Sequence, residues 1–354
     1  MDVFRIMPKN QALFKCFPDF EDQSFSMILE LTKQSIPIFL ISDRYQIPNH
    51  WREENLRVKL IKPHSLLSFL YAKTSKYIFH THGFIFSEST SREQVVVNLW
   101  HGIPLKKIGI EVGFEMPNST FSLITSTSKS FLMERTYSNL KKKPVFINFG
   151  LPRIDLLKPI SQSSKVRPNK IIWVPTHRDE GISEIPTNGF VNNLWLGMTI
   201  SQLIQLDKLF LDRGISVELL LHPMFRGIVP VDLSAIYLSP FDRESQSLYR
   251  YINNFDALMT DFSSISIDYL VTGKPLYVFA PGLESYEKSR GLFGDLETLL
   301  GIQVLRDIDS LMKEMDTDNY DFLRLEKALN DWHDYRQNDR ASKIWQRISE
   351  VSIN

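Results

Sequence analysis

Cysteine is nearly missing from this chain: Cys16 is the only one in 354 residues. That excludes an internal disulfide and fits a reducing compartment. An excess of either charge is missing too. Lys+Arg and Asp+Glu each total 41, so there is no global basic field to attract a polyanion, and no nucleic-acid partner is expected. No apolar run approaches the roughly 20 residues that span a bilayer. Met1-Asp2-Val3-Phe4-Arg5 is not followed by a signal-peptide apolar core. The expected location is therefore cytoplasmic, with a peripheral seat on the inner face of the cell membrane left open. Glycine is sparse and scattered, at 15 residues. There is no P-loop, no GxGxxG fingerprint and no Gly-x-Ser-x-Gly elbow, which argues against P-loop chemistry and a serine-hydrolase triad.

What is there reads as an ordinary globular protein, 43% hydrophobic and 23% charged. The length suits two domains. Apolar runs alternate with amphipathic stretches, which predicts an α/β fold. Strands are expected at 37–42, 76–80, 95–99, 121–125 and 145–149, with a helix at 128–138 capped by Ser128. Gly150-Leu151-Pro152-Arg153 starts another short helix. The polar, apolar-poor stretch 161–169 is the best boundary. Beyond it, strands are expected at 170–174, 216–221, 257–260 and 275–280. A helix at 264–271 is closed by Gly273 and Pro275. The tail, 320–349, reads as helical and is expected to pack back on the first lobe. The expected units are 1–160, 161–325 and 326–354.

Two short blocks carry the chemistry. Asn98-Leu99-Trp100-His101-Gly102 and Thr260-Asp261-Phe262-Ser263-Ser264 each follow an apolar strand-like run. In open α/β sheets ligands bind beyond the carboxyl ends of the strands. His101 sits on a turn that Gly102 loosens and Pro104 stiffens, which suits a general base; a turn histidine bonded to backbone is the plainer reading. Asp261-Phe262-Ser263-Ser264 opens a helix, where free N–H groups and two hydroxyls suit a phosphate; simple capping is the alternative. His222-Pro223 and Pro175-Thr176-His177-Arg178-Asp179 end two more strands of the same half. Arg178 and His222 there would complete a diphosphate pocket, unless Arg178 pairs at the surface and His222 is a buried core histidine.

Two weaker signals remain. His80-Thr81-His82 has zinc-compatible spacing, but no nearby Cys or carboxylate completes a set. The apolar stretch 66–72 lies among Lys59, Lys62, Lys73 and Lys76. It reads as an interfacial helix or, more plainly, as a buried helix with lysines at its solvent edge.

Taken in order, these residues resemble a known family. Asn98-Leu-Trp-His-Gly-Ile-Pro-Leu-Lys-Lys-Ile-Gly109 resembles the signature of the CDP-glycerol glycerophosphotransferases of teichoic-acid and capsule synthesis. Supporting segments follow: Thr125-Ser126-Thr127, Gly150-Leu-Pro-Arg-Ile-Asp155, Trp173-Val-Pro-Thr-His-Arg-Asp179 and Leu221-His-Pro223. After them come Met259-Thr-Asp-Phe-Ser-Ser264 with Asp268, Gly273-Lys-Pro275, and Tyr286 with Arg290-Gly291. The resemblance covers about 70–350. It implies a GT-B-like pair of Rossmann-type lobes around a cleft. The activity it implies is transfer of a polyol phosphate from CDP-glycerol or CDP-ribitol to a glycan or polyprenyl-linked acceptor, releasing CMP. By position, His101 is the implied catalytic base. Gly102, Arg178, His222, Asp261, Ser263, Ser264 and Arg290 are the implied substrate pocket. No cofactor and no divalent metal are expected. Two departures stand out: His177 where the family has an aromatic residue, and Asn338-Asp339-Arg340 in place of a glycine-containing turn. The competing readings are a GT-B glycosyltransferase or nucleotide-sugar epimerase, and a non-catalytic nucleotide-binding assembly protein.

Overall fold

The computed structural model describes residues 8–83, 93–160, 167–176, 190–191, 194–221, 229–242, 245–316 and 320–350. Seven parallel strands build the first sheet: β1 (Lys9–Lys15), β2 (Ile38–Ile41), β3 (Val58–Ile61), β4 (Ser75–His80), β5 (Val95–Asn98), β6 (Phe121–Leu123) and β7 (Val145–Ile147). Their spatial order is β3-β2-β1-β4-β5-β6-β7. The helices between them are α1 (Asp22–Lys33), α2 (Asn49–Glu53), α3 (Leu66–Thr74) and α4 (Ser130–Thr136). β5 is Val-Val-Val-Asn, fully buried; stiff β-branched side chains suit a central strand covered on both faces.

The second sheet repeats the plan with six strands: β8 (Lys170–Val174), β11 (Ser216–Leu219), β12 (Ile236–Leu238), β13 (Ala257–Thr260), β14 (Leu276–Phe279) and β15 (Val304–Leu305). The order β12-β11-β8-β13-β14-β15 is the Rossmann order, with its reversal between β8 and β13. A small hairpin of β9 (Phe190–Val191) and β10 (Leu194–Trp195) stands apart. The connecting helices are α5 (Ile200–Asp212), α6 (Leu248–Ile252), α7 (Ile265–Tyr269), α8 (Leu283–Arg290), α9 (Leu296–Leu300) and α10 (Ile308–Asp316). The expected α/β fold with two Rossmann-type lobes is what the chain adopts. One apolar core runs through both lobes, from Phe14 and Phe79 to Leu258 and Leu296.

The tail is two helices, not one. α11 (Phe322–Trp332) stays on the second lobe, where Trp332 Nε1 donates to the Leu300 carbonyl. The chain then crosses over. Asp334 accepts from Ser126 Oγ and Thr127 N, both at 2.8 Å, and from Asn148 Nδ2 at 3.1 Å. α12 (Arg340–Ser349) lies against α1, with Trp345 edge-on to Tyr77. Asp155 anchors its start by accepting from Ala341 N and from Arg340, a fully buried guanidinium. Buried Ile344 and Ile348 add about 1.5–3 kcal/mol each to this seat. The Thr125-Ser126-Thr127 and Gly150–Asp155 segments therefore hold the tail.

Other local expectations are corrected. The helix expected at 128–138 is a 3-10 turn, Thr127–Lys129, running into α4, and Ser126 rather than Ser128 is its cap. The helix expected at 264–271 is only five residues long and continues as the 3-10 turn Leu270–Thr272. β1, α1 and β3 were not anticipated. Among the described residues no helix is long and apolar enough to cross a membrane.

Candidate active site

The tight turn after β5 is built by its own side chains. Trp100 is left-handed, φ +61°, which costs a residue with a bulky side chain about 1–3 kcal/mol. Several contacts hold it there. Asn98 Oδ1 accepts from Trp100 N at 2.9 Å, and Trp100 Nε1 donates to Ser122 Oγ at 2.8 Å. Buried Gln23 of α1 donates through Nε2 to the Leu99 and Trp100 carbonyls, at 2.9 and 3.3 Å. The strain is offset by a network that leaves His101 projecting at the rim of the sheet.

Gly102 follows with φ +137°. A Cβ placed there would lie 2.0 Å from Ser264 Oγ, so no other residue fits. The first lobe thus touches the start of α7 directly. Two further ties hold the lobes. Lys106 bridges to Leu292, with Lys107 N donating to Gly291 O at 3.2 Å. Arg153 reaches across to Asp268, Nε and Nη2 donating to Oδ2 at 2.9 and 2.6 Å. The same oxygen accepts from Tyr249 at 2.5 Å. Arg153 also donates from Nη1 to the His101 carbonyl at 3.1 Å, and Gln23 Oε1 accepts from its backbone N–H.

Between these ties lies a cavity of about 320 Å³. His101, Gly102 and Lys106 form its wall on the first lobe. Ser263, Ser264, Tyr286 and Arg290 face them from the second, with Pro175, Thr176 and Leu221 at the ends of β8 and β11. Of the residues singled out from sequence, His101, Gly102, Ser263, Ser264 and Arg290 come together here. Asp261 is buried and not part of the wall; its Oδ1 accepts from Thr176 N at 2.9 Å, joining the ends of β8 and β13. It does not cap α7, which Ser264 starts. Arg178 and His222 lie outside the described residues.

His101 Nδ1 lies 3.2 Å from the Thr81 carbonyl. A carbonyl only accepts, so Nδ1 carries the proton and Nε2 keeps its lone pair. The ring is exposed to the cleft yet enclosed by its walls. That desolvation, with the positive charges of Arg153 and Lys106, pulls its pKa down to about 4, against the Thr81 hydrogen bond. At neutral pH it is a free base. His80 has both ring nitrogens engaged within the first lobe. It is fully buried, accepts from Gly83 N at Nδ1 and pairs with Ser119 Oγ through Nε2 at 3.0 Å. Arg153 and Asp268 lie in segments that carry the family resemblance, but their pairing across the lobes was not readable from them; Gln23 is the supporting residue that the sequence does not single out.

A strand-end histidine faces a serine pair across one cleft. The model of the CDP-glycerol:poly(glycerophosphate) glycerophosphotransferases matches residues 1–350. The chain belongs to this family. The match includes the first 70 residues, which the sequence reading left outside it. A teichoic acid glycerol-phosphate primase of Bacillus subtilis (strain 168) is 22% identical over 275 residues, covering 72% of this chain and 68% of that protein. A teichoic acid ribitol-phosphate primase of Bacillus spizizenii (strain ATCC 23059 / NRRL B-14472 / W23) is 22% identical over 281 residues, covering 71% and 68%. The solved wall teichoic acid polymerase TagF has the same fold, with a TM-score of 0.67 at 15% identity over 97% of this chain and 89% of that one. As a member of the family, the chain is a transferase of glycerol phosphate from CDP-glycerol in wall-polymer synthesis. The glycosyltransferase, epimerase and non-catalytic readings give way to it.

Proposed function

We propose that the cavity binds the diphosphate of CDP-glycerol against Ser263, Ser264 and Arg290, and that His101 is the base for the acceptor. The observation that carries this is the contact of Gly102 with Ser264, which sets His101 and the serine hydroxyls on facing walls of one cavity. The acceptor oxygen attacks the phosphorus that bears glycerol. Its proton passes to His101 Nε2, the new O–P bond forms, and the bond to CMP breaks with its electron pair leaving on CMP. Donors already in place meet the charge on the transferring group, so positioning and electrostatics dominate. Arg178 and His222 belong to the proposed pocket on the sequence alone, and no divalent metal is assigned a step. CMP release from CDP-glycerol with a wall-glycan acceptor tests the reading. Arg290→Ala is expected to raise KM for CDP-glycerol about tenfold or more, since a lost charge-assisted bond is worth about 1.5–3 kcal/mol. An unchanged KM sinks the donor assignment.

The acceptor is proposed to be a glycan, free or polyprenyl-linked, met at a membrane surface. In support, α3 leaves Leu66, Leu67, Phe69 and Leu70 exposed, at 83%, 52%, 47% and 46%. Lys59 and Lys62, a few residues before α3, are exposed, and Lys73 lies over the Phe69 ring. An exposed apolar helix face with lysines close in sequence suits an anionic lipid surface. Sedimentation with phosphatidylglycerol vesicles should carry the chain down. The triple change Leu66→Ser, Leu67→Ser, Phe69→Ser should cut binding more than tenfold, since each buried apolar side chain contributes about 1.5–3 kcal/mol. Equal pelleting of both forms removes α3 from the reading.

A further inference from the structure

We infer that His82 is a positioning residue for His101, stacking on its ring and holding it at the rim of the cleft. This rests on the reading of His101 as the base. The two imidazoles lie face to face, with ring centroids 3.8 Å apart and planes inclined by 15°. Nothing so far described uses His82.

Its place in the fold supports a role at the site. In the first sheet the strand order reverses between β1 and β4. The crevice beyond the carboxyl ends at such a reversal is where α/β sheets take ligands. Phe17 follows β1 there, and Thr81-His82 follows β4. One buried residue serves both rings. Thr81, 1% exposed, accepts from His101 Nδ1 at its carbonyl. Its Oγ1 accepts from Phe17 N at 3.0 Å and lies 3.0 Å from His82 Nδ1. With Phe17 on one lone pair, the arrangement that uses the buried hydroxyl fully is donation of its proton to His82 Nδ1. His82 then carries its own proton on Nε2. The stacked rings are therefore opposite tautomers: His101 offers a lone pair at Nε2, and His82 offers an N–H.

Phe17 closes the row from outside, edge-on to His82 at 5.6 Å and 83°. The stack covers one face of the His101 ring, which keeps water off it and limits its rotation. It also sets a limit on charge, because two imidazolium rings at this distance repel. Arg153 and Lys106 act on His101 in the same sense, and His80 and His101 act so on His82. Burial is the largest cause for both rings, and it takes His82 to about 3.

The test compares His82→Ala with His82→Phe, which keeps a flat ring for stacking. The readouts are CMP release from CDP-glycerol with a wall-glycan acceptor and ¹⁵N NMR of the histidine rings. His82→Ala is expected to lower kcat roughly tenfold, because a base misplaced by even an ångström loses rate. KM for CDP-glycerol should stay put. His101 should change from one tautomer to a mixture, and the acidic limb of kcat/KM should rise by about one pH unit as its ring face is hydrated. His82→Phe should restore most of the rate and the limb. A wild-type kcat, pH limb and His101 spectrum in His82→Ala overturns the inference, as does a His82→Phe no better than His82→Ala. His101→Ala turning over at the wild-type rate instead overturns the base assignment beneath it. An unaltered melting temperature in both variants separates positioning from folding.

Discussion

His101→Ala is expected to lower kcat for CMP release by about 10²–10⁴-fold, the usual worth of a positioned general base. The affinity for CDP-glycerol, read by calorimetry, should change little, because the groups proposed to bind the donor, Ser263, Ser264 and Arg290, sit on the opposite wall. A variant with wild-type kcat removes His101 from the chemistry. The pH profile gives a second check. A base works only when neutral, and the His101 pKa is lowered to about 4, mainly by desolvation. Activity that depends on it should persist well below 6.5 and fall only as pH drops through about 4. Stability moves earlier. His80, His101 and His333 are all held near 4 by burial, whereas an unfolded histidine titrates at about 6.5. The unfolded chain takes up more protons in that window, so stability is lost as pH falls from 6.5 toward 4. Rates in acid need a parallel measurement of the folded fraction.

Asp268→Ala should be the most damaging single change away from the cavity wall. Asp268 is fully buried and receives Arg153 and Tyr249. Burial keeps the Tyr249 phenol protonated, so it donates. Removing the carboxylate leaves a guanidinium buried without its counter-charge, which costs about 3–5 kcal/mol. The urea midpoint should drop accordingly. Activity should drop as well, because the same Arg153 holds the His101 carbonyl. Asp268→Asn, which keeps an acceptor, should fall between. A midpoint within experimental error of wild type would mean that the ion pair adds nothing to the junction of the lobes.

The two strand-end blocks were legible because each geometry is set by the residues in the block. A glycine with no room for a Cβ, a buried asparagine on the turn, and two hydroxyls at a helix start all leave local marks. The support behind them left none. Gln23 reads as one polar residue of an amphipathic helix, but its amide is buried against the carbonyls of Leu99 and Trp100, 76 and 77 residues away. Asp334 meets Thr127 at a separation of 207 residues, and nothing in either segment names the other. Apolar spacing also cannot tell a five-residue α-helix continued as a 3-10 turn from one longer helix. This is why the stretch after Ser264 was overextended. The stretch 66–72 was ambiguous for a different reason. Its pattern fits a buried or an interfacial helix alike, and only the accessibility of four apolar side chains separates the two.

The tail crossing has a mechanical consequence. The chain passes between the lobes twice, once near Ile160, whose N–H bonds to Thr272 O, and once at His333–Asp334, bonded to Ile267 and Thr125. A swing about the line through both crossings leaves the backbone at each least strained, but any opening of the cleft also works against the buried Arg153–Asp268 pair and the apolar core that the lobes share.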